Sequence, residues 1–312
     1  MTTRQEALND AYDRLKDVWF NMEPIFAEHG PMVAEAISTL GRNAAVGPWV
    51  ESYKANHRHL PPPPQKAAID PAKESDWRTA LGAAPRMLDW LDLFRRELAA
   101  HPWQETIRLW APRLIDGYIG GLTHGLIRTA HAVRAIPESG ASPAEKEELA
   151  RGLAYWAAVY QQLPPLSEGQ AAADPEQAIS RHSARFAGLL LAEGTRAGVP
   201  LIQLVHTVTS AEALRTLLPF LAHTAAQRGV ARIAQGSAAI VARVTGRPPG
   251  EPGPQIPAPD FAIDELIDRA IAHGDDHVIK FTEAALREDR IRPDPVYRAA
   301  AEMLQRRIEP GA

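Results

Sequence analysis

Helical periodicity runs through almost the whole 312-residue chain, and this feature most constrains how the chain can fold. The alternation of Val, Ile and Thr between turn residues, which is typical of β-strands, is nearly absent. The first segment, residues 4–26, places Leu8 and Leu15 at helical spacing. The pattern therefore predicts an all-α protein, with a single multi-helix domain over residues 1–312 that encloses an apolar pocket.

Capping and breaking residues give boundaries for the predicted helices. Pro31 is expected in the first turn of a second helix, which Gly41 ends. Ser142 and Glu145 form a capping-box sequence with Pro143 just inside it, so a helix should begin there and run to about Leu163. Further helices are predicted over 78–100, 103–114, the regular end of 117–135, 176–197, 200–222, 228–245, 260–273, 276–288 and 295–307.

Two proline-rich stretches interrupt the helical pattern. Four consecutive prolines, 61–64, begin an irregular connection that runs to about Trp77, and six prolines fall within 246–259. Both stretches would suit domain boundaries. Candidate site residues lie on both sides of each stretch, however, which favours long connections inside one domain.

Composition and charge exclude several classes of function. The chain has no cysteine, so disulfides, thiolate nucleophiles and cysteine-ligated zinc or iron–sulfur sites are excluded. The net charge of -4 and the lack of a Lys/Arg block argue against nucleic-acid binding. The first residues lack an apolar signal region, and the apolar run 186–192 is too short to cross a bilayer. We therefore predict a cytoplasmic protein with no membrane partner, and the sequence leaves its oligomeric state open.

Familiar cofactor and catalytic motifs are missing. No glycine-rich dinucleotide fingerprint, phosphate-binding loop, nucleophile elbow or His-Glu-x-x-His zinc motif occurs in the chain. The eleven histidines are the remaining chemical resource. Of these, His57, His59 and His101 border prolines or polar loops, which is typical of surface residues.

Three histidines stand in settings that fit either a functional or a structural role. His29 precedes a sharp helix start and fits a polar turn residue equally well. His124 is surrounded by glycines, which suits room for a ligand or close helix packing; Arg128 and His131 follow on its face. His206 lies in a helix that is apolar nearly all round, and taken alone this pattern slightly favours a core hydrogen bond over a metal.

A lysine near the end of the chain adds a further possibility for metal binding. His277 and Lys280 lie three residues apart, so a helix presents them on one face beside Phe281. Burial lowers the pKa of an amine, and a neutral amine reacts with carbon dioxide to give a carbamate that binds metals through oxygen. The alternative is a lysine that extends past Phe281 to solvent, and spacing alone favours that alternative.

Several motifs, taken together and in this order, resemble the questin oxidase-like family over nearly the whole chain. The motifs are Glu28-His29-Gly30-Pro31-Met32, Trp77 with Ala80-Leu81-Gly82 and Asp89-Trp90, Thr123-His124-Gly125-Leu126-Ile127-Arg128-Thr129-Ala130-His131-Ala132, Val205-His206-Thr207-Val208-Thr209 with Ala213-Leu214-Arg215, and His277-Val278-Ile279-Lys280-Phe281.

The resemblance implies an all-helical oxygenase that acts on aromatic polyketides such as anthraquinones. Members have been described as Baeyer–Villiger-type oxidases that use NADPH, and a mononuclear non-haem iron centre with histidines and a carboxylated lysine is also associated with the family. The iron centre fits this chain better, because no dinucleotide fold is visible in the sequence. The implied metal ligands are His29, His124, His206, His277 and Lys280, with His131 as the substitute ligand.

The sequence therefore leads to one main hypothesis and two alternatives. The main hypothesis is an Fe(II) oxygenase whose partners are O2 and a small aromatic substrate, with Arg128 and His131 in catalytic roles and Arg128 holding an anionic oxygen. The first alternative is an NADPH-dependent Baeyer–Villiger-type monooxygenase. The second is a non-catalytic helical protein that binds a hydrophobic metabolite.

Overall fold

The computed structural model confirms the all-α prediction. It describes residues 2–22, 26–57, 60–167, 174–250 and 256–311; His59, predicted to lie at the surface, is outside these ranges. Within them the only strands are a two-residue antiparallel pair, Asn21–Met22 with Phe26–Ala27. None of the described helices is both long and apolar enough to cross a membrane.

Fourteen α-helices occur within the described residues. They are α1 (Arg4–Leu15), α2 (Gly30–Thr39), α3 (Asn43–Asn56), α4 (Glu74–Ala80), α5 (Met87–Ala100), α6 (Trp103–Leu114), α7 (His124–Ala135), α8 (Pro143–Ala158), α9 (Pro175–Gly194), α10 (Leu201–Leu217), α11 (His223–Thr245), α12 (Ile263–His273), α13 (Asp276–Ile291) and α14 (Pro295–Arg307). Short 3-10 turns occupy 84–86, 115–117, 120–123 and 218–220.

Local signals placed several helix ends correctly. The side chain of Ser142 accepts the N–H of Glu145, whose carboxylate accepts the N–H of Ser142, so the predicted capping box begins α8. Pro31 lies in the first turn of α2, as predicted. Gly41, at φ +79°, follows that helix, where the absence of a side chain permits the left-handed backbone.

Two helix predictions were wrong, and one helix was missed. The helix predicted over 4–26 ends at Leu15, and the short strand pair follows it. The helix predicted over 78–100 is two helices, α4 and α5, because Gly82 turns at φ +70° and donates its N–H to the carbonyl of Ala157. Helix α3 was not predicted, since it contains Pro48 and buries only a narrow stripe of side chains.

Four helices form a closed ring near the centre of the fold. Helix α2 packs on α7 and α13, and α10 packs on the same two helices. An aromatic core that includes Trp90, Trp110 and Trp156 lies on the α8 side of the ring. A second apolar core joins α1, α9 and α14 to the ring helices α2, α10 and α13. The ring helices therefore contribute to both cores, and the outer helices shield them from solvent.

The glycines around His124 mainly serve close packing. A Cβ atom at Gly125 would lie 2.4 Å from Cα of Trp156, so only glycine lets α7 approach α8 at this level. At Gly120 a Cβ atom would collide with the carbonyl oxygen of Val159. These contacts support close helix packing as the reason for both glycines. The enclosed apolar pocket stays a prediction.

Candidate metal centre

Four imidazole side chains, one from each of the four ring helices or its first turn, lie close together. His29 and His124 stack with ring centroids 4.6 Å apart, and His206 lies edge-on to His124 at 4.7 Å. His277 lies edge-on to His29 at 4.8 Å and is 5.4 Å from the ring of His206. The structure thus brings together the four histidines that the resemblance implied as ligands, but not the substitute ligand His131. We call these four residues the histidine cluster.

The outer nitrogens of two rings are held by backbone carbonyls. Nδ1 of His124 lies 2.6 Å from the carbonyl oxygen of Gly121, and Nδ1 of His206 lies 3.0 Å from that of Ile202. A carbonyl can only accept a hydrogen bond, so each Nδ1 carries the ring proton. In the neutral ring, Nε2 then offers a lone pair, and these two Nε2 atoms lie 3.2 Å apart.

Asp276 orients the other two histidines of the cluster. One carboxylate oxygen accepts from Nδ1 of His29, and the other lies 2.5 Å from Nδ1 of His277. Nε2 of His29 is thereby directed inward and lies 2.6 Å from Nε2 of His124. No role for Asp276 was predicted from the sequence. Its position directly before His277 was the available signal, because carboxylates commonly orient metal-binding histidines.

The facing lone pairs call for a cation between the rings. A shared proton would require one ring to be protonated. Burial lowers the pKa of His29 to about 3, against the opposing charge of Asp276. Burial likewise holds the pKa of His124 and His206 well below the ordinary value for histidine. At neutral pH these rings are therefore neutral, and their converging nitrogen donors fit a divalent transition metal.

Helix starts position three of the four histidines. His29 is the N-cap residue of α2, His124 is the first residue of α7, and His277 is the second residue of α13. The side chain of Asp275 caps α13 by accepting the N–H groups of His277 and Val278. The positive ends of three helix dipoles thus face the cluster, which disfavours protonated histidine and favours anionic ligands.

An unusual turn leads into His124. Gly121, Leu122 and Thr123 have φ values of 58°, 52° and 68°, so three successive residues adopt the left-handed conformation. This conformation is costly for leucine and threonine, by about 1 kcal/mol or more each. The turn places the carbonyl of Gly121 against Nδ1 of His124. The strain is therefore located at the point that fixes the ring of a candidate ligand.

Lys280 is buried one turn after His277 on α13. Its side chain is 3% exposed, and within the described part of the chain its amine makes no hydrogen bond or ion pair. Burial lowers its pKa, although the charges of Asp276 and Asp275 oppose the shift. The lysine therefore does not extend to solvent as spacing alone had favoured, and its burial shifts the amine towards the neutral form.

Arg128 forms ion pairs with two buried carboxylates of the chain itself. Its Nε and Nη2 atoms donate to the two carboxylate oxygens of Glu148 at 2.7 and 2.8 Å, and Nη1 lies 2.9 Å from Glu28. Burial raises the pKa of Glu28 to about 7, against the nearby charge of Arg128. The predicted contact between Arg128 and an anionic oxygen of a substrate would have to compete with these pairs.

His131 lies outside the histidine cluster, in a layer of buried charges. Its Nδ1 donates to Glu35 at 2.6 Å, and Arg134 pairs with both Glu35 and Glu283. Arg287 links Glu283 to Glu212 on α10, at 2.8 and 3.3 Å. We call Glu35, His131, Arg134, Glu212, Glu283 and Arg287 the charged layer; of these residues, only His131 had a role predicted from the sequence.

The charged layer shows that the four ring helices run in the same direction. In each helix a member of the layer follows the cluster histidine by six or seven residues, or about two turns. The pairs are His29 with Glu35, His124 with His131, His206 with Glu212, and His277 with Glu283. The histidine cluster therefore occupies one level of a parallel four-helix arrangement, and the charged layer occupies the level below it.

Comparison with known proteins assigns the family. A family model described as questin oxidase-like matches residues 26–197, which is more than half of the chain. The chain belongs to the questin oxidase-like family. Membership indicates an oxidoreductase, an oxidase of polyketide-type substrates. The matched span of this questin oxidase-like chain contains His29 and His124, while His206, His277 and Lys280 lie beyond it. No curated protein matches the chain significantly.

Proposed function

We propose that this protein is a metal-dependent oxygenase that acts on an aromatic, anthraquinone-like polyketide. The metal would be a mononuclear non-haem iron(II), held by the four cluster histidines and by Lys280. One observation carries the proposal: buried, neutral imidazoles direct their Nε2 lone pairs at one another, 2.6 and 3.2 Å apart, with no proton to share. Iron(II) accepts imidazole and carboxylate-like donors and supplies the activation of O2.

The residues of the chain have separate parts in this proposal. The carbonyls of Gly121 and Ile202 and the carboxylate of Asp276 fix the ring orientations, so the donors need little rearrangement on binding. In its deprotonated form, which burial favours, the amine of Lys280 would form a C–N bond with carbon dioxide and release one proton. The product is a carbamate, which is an anionic oxygen donor. The positive ends of α2, α7 and α13 stabilise that negative charge.

Metal analysis of untagged protein tests the proposal. We expect about one iron per chain in the wild type, and a loss of most of it in His206→Ala with an unchanged circular dichroism spectrum. The matched control is His182→Ala, because His182 also donates to a carbonyl of α10, that of Thr207, but lies outside the cluster. If His206→Ala fails to fold, His206→Gln replaces it.

Oxygen consumption is then measured with a hydroxyanthraquinone, with and without NADPH. The proposal predicts turnover that follows iron content and does not require NADPH. A metal-free protein with full activity would overturn it. A strict NADPH requirement in the absence of metal would favour a Baeyer–Villiger-type monooxygenase instead. Absence of metal from every variant, together with tight binding of the quinone, would favour a metabolite-binding protein.

A further inference from the structure

A groove lies between α11, the start of α10 and the segments around Leu122 and Gln161. It has a volume of about 420 Å³, which is within the range of small-molecule sites. We call it the α10–α11 groove. Its lining is mainly apolar, with polar groups among the apolar ones; it includes Leu122, Ile240, Val244, Gln161, Gln203 and Arg243.

Two of the lining residues connect the groove to the cluster. Leu122 belongs to the strained turn and precedes His124 by two residues. Gln203 lies on α10 one turn before His206, so the two side chains share a face of the helix. A molecule in the groove thus contacts the two segments that hold His124 and His206. Strained backbone commonly accumulates at functional sites, and here it forms part of the groove lining.

Arg243 gives the groove a positive charge. The residue is exposed, and within the described residues its guanidinium makes no ion pair or hydrogen bond. Arginine in this chain is usually paired, as Arg128 and Arg134 show. A cation beside an apolar slot fits a ligand that combines a flat apolar surface with one anionic oxygen. A phenolate on a fused aromatic ring has both features.

A second groove near the cluster has the opposite charge. It lies between α3 and the start of α13, has a volume of about 480 Å³, and includes Asp275 and Asp276 in its lining. Asp276 contacts Nδ1 of His29, so this groove approaches the cluster from the side of the His29 imidazole that faces away from His124. Its carboxylates would repel a phenolate. The sign of the charge therefore distinguishes the two grooves.

We propose that the α10–α11 groove is the binding site for a planar phenolic substrate, and that Arg243 pairs with its anionic oxygen. The assignment rests on the proposed oxygenase function for the nature of the ligand. Arg243 is a specificity-determining residue in this scheme: it selects ionised phenols over their ethers. The face of α11 that carries Ala239, Ile240 and Arg243 then contacts the ring system.

Equilibrium dialysis against 2-hydroxyanthraquinone and its methyl ether tests the pairing with Arg243. At a pH where the phenol is ionised, the wild type should prefer the phenol by about tenfold. Arg243→Gln should remove this preference and leave binding of the ether unchanged. The control is Arg290→Gln, an equivalent change on an exposed residue more than three turns beyond His277. An unchanged preference in Arg243→Gln would overturn the pairing.

A second pair of variants tests the location. Ala239→Trp fills the groove from an exposed position of α11, whereas Ala242→Trp adds the same side chain to the same helix outside the lining. We expect binding of both quinones to fall about tenfold or more in Ala239→Trp only. Equal binding by the two variants would overturn the site. Iron content is measured in parallel, so failure of the metal proposal is recognised separately from failure of the groove.

Discussion

His29 and His124 face each other through their Nε2 atoms, 2.6 Å apart, at the starts of two parallel helices. Each ring is held from behind, by Asp276 and by the carbonyl of Gly121 respectively. Neutral imidazoles in this arrangement repel each other unless a cation lies between them.

Asp276→Asn should weaken metal binding without unfolding the protein. The two histidines face different oxygens of Asp276, and the amide replaces one of these oxygens by an NH2 group, which cannot accept a ring proton. Loss of such an orienting partner typically lowers metal affinity about 10- to 100-fold. The affinity is measured by competition with a chelator. The control is Asp294→Asn, which changes the capping carboxylate of α14 far along the chain; equal iron retention by both variants would contradict the role of Asp276.

Lys280→Met should affect the metal-free and the metal-loaded protein in opposite ways. With chelator present, we expect the free energy of unfolding to rise by about 2 kcal/mol, because an unpaired buried amine is replaced by an apolar side chain. In the absence of chelator, iron retention should fall. The exposed Lys146→Met should change neither quantity.

A carbamate on Lys280 has its own spectroscopic test. Protein equilibrated with 13C-bicarbonate should show a carbamate carbon signal by NMR, and Lys280→Met should lack it. The control Lys146→Met should retain the signal. A wild-type spectrum without the signal, in protein loaded with diamagnetic Zn(II) in place of iron, would remove the carbamate from the proposal while leaving the histidines in place.

His131→Leu should lower stability and leave the chemistry unchanged. The substitution removes one hydrogen-bond donor from Glu35, which still keeps Arg134, so a cost of about 1–2 kcal/mol is expected. Urea unfolding measures this cost, with the exposed His101→Leu as the control. Iron content and kcat should match the wild type. A large drop in kcat at unchanged stability would instead support the catalytic role that the sequence suggested.

Two glycine substitutions should differ in their effect on stability. Gly125→Ala should destabilise the protein by about 2 kcal/mol, since the added Cβ atom meets the backbone of Trp156 at 2.4 Å. Gly47→Ala should change stability by less than about 0.5 kcal/mol, because an added Cβ atom has only Asp10 nearby, at 4.0 Å, and the gain from replacing a helical glycine is offset by the following Pro48, which disfavours a side chain before it in a helix. Both are measured by chemical denaturation. Equal effects would show that α7 and α8 can separate.

His182 should make stability fall in mild acid. Burial lowers its pKa from 6.5 to about 4, against the hydrogen bond to the carbonyl of Thr207. The unfolded chain therefore binds a proton more readily than the folded chain between about pH 6.5 and pH 4, and stability is lost as pH falls through that window. His182→Leu should flatten this part of the curve of unfolding free energy against pH. A curve identical to the wild type would show that protonation of His182 does not contribute.

Sequence reasoning located the helices better than it located the charges. The capping box at Ser142 and the proline at residue 31 act within one turn, so their signals can be read locally. The pairing of Glu35 with Arg134 joins residues 99 apart, and the contact of His29 with Asp276 joins residues 247 apart. Such partners have no local signature. The cluster histidines were recognisable because apolar and glycine-rich surroundings are unusual for histidine, whereas Glu35 looks like an ordinary exposed helix residue.

The parallel arrangement of the four ring helices also bears on how the chain resists unfolding. The contact of His29 with His124 spans 95 residues, and that of His124 with His206 spans 82. An ion bound by all these rings would close long loops at a single point, in a chain that has no cysteine with which to do so. The metal would then act as a reversible cross-link. The free energy of unfolding should accordingly rise with the concentration of free metal, in proportion to its logarithm once the site is saturated.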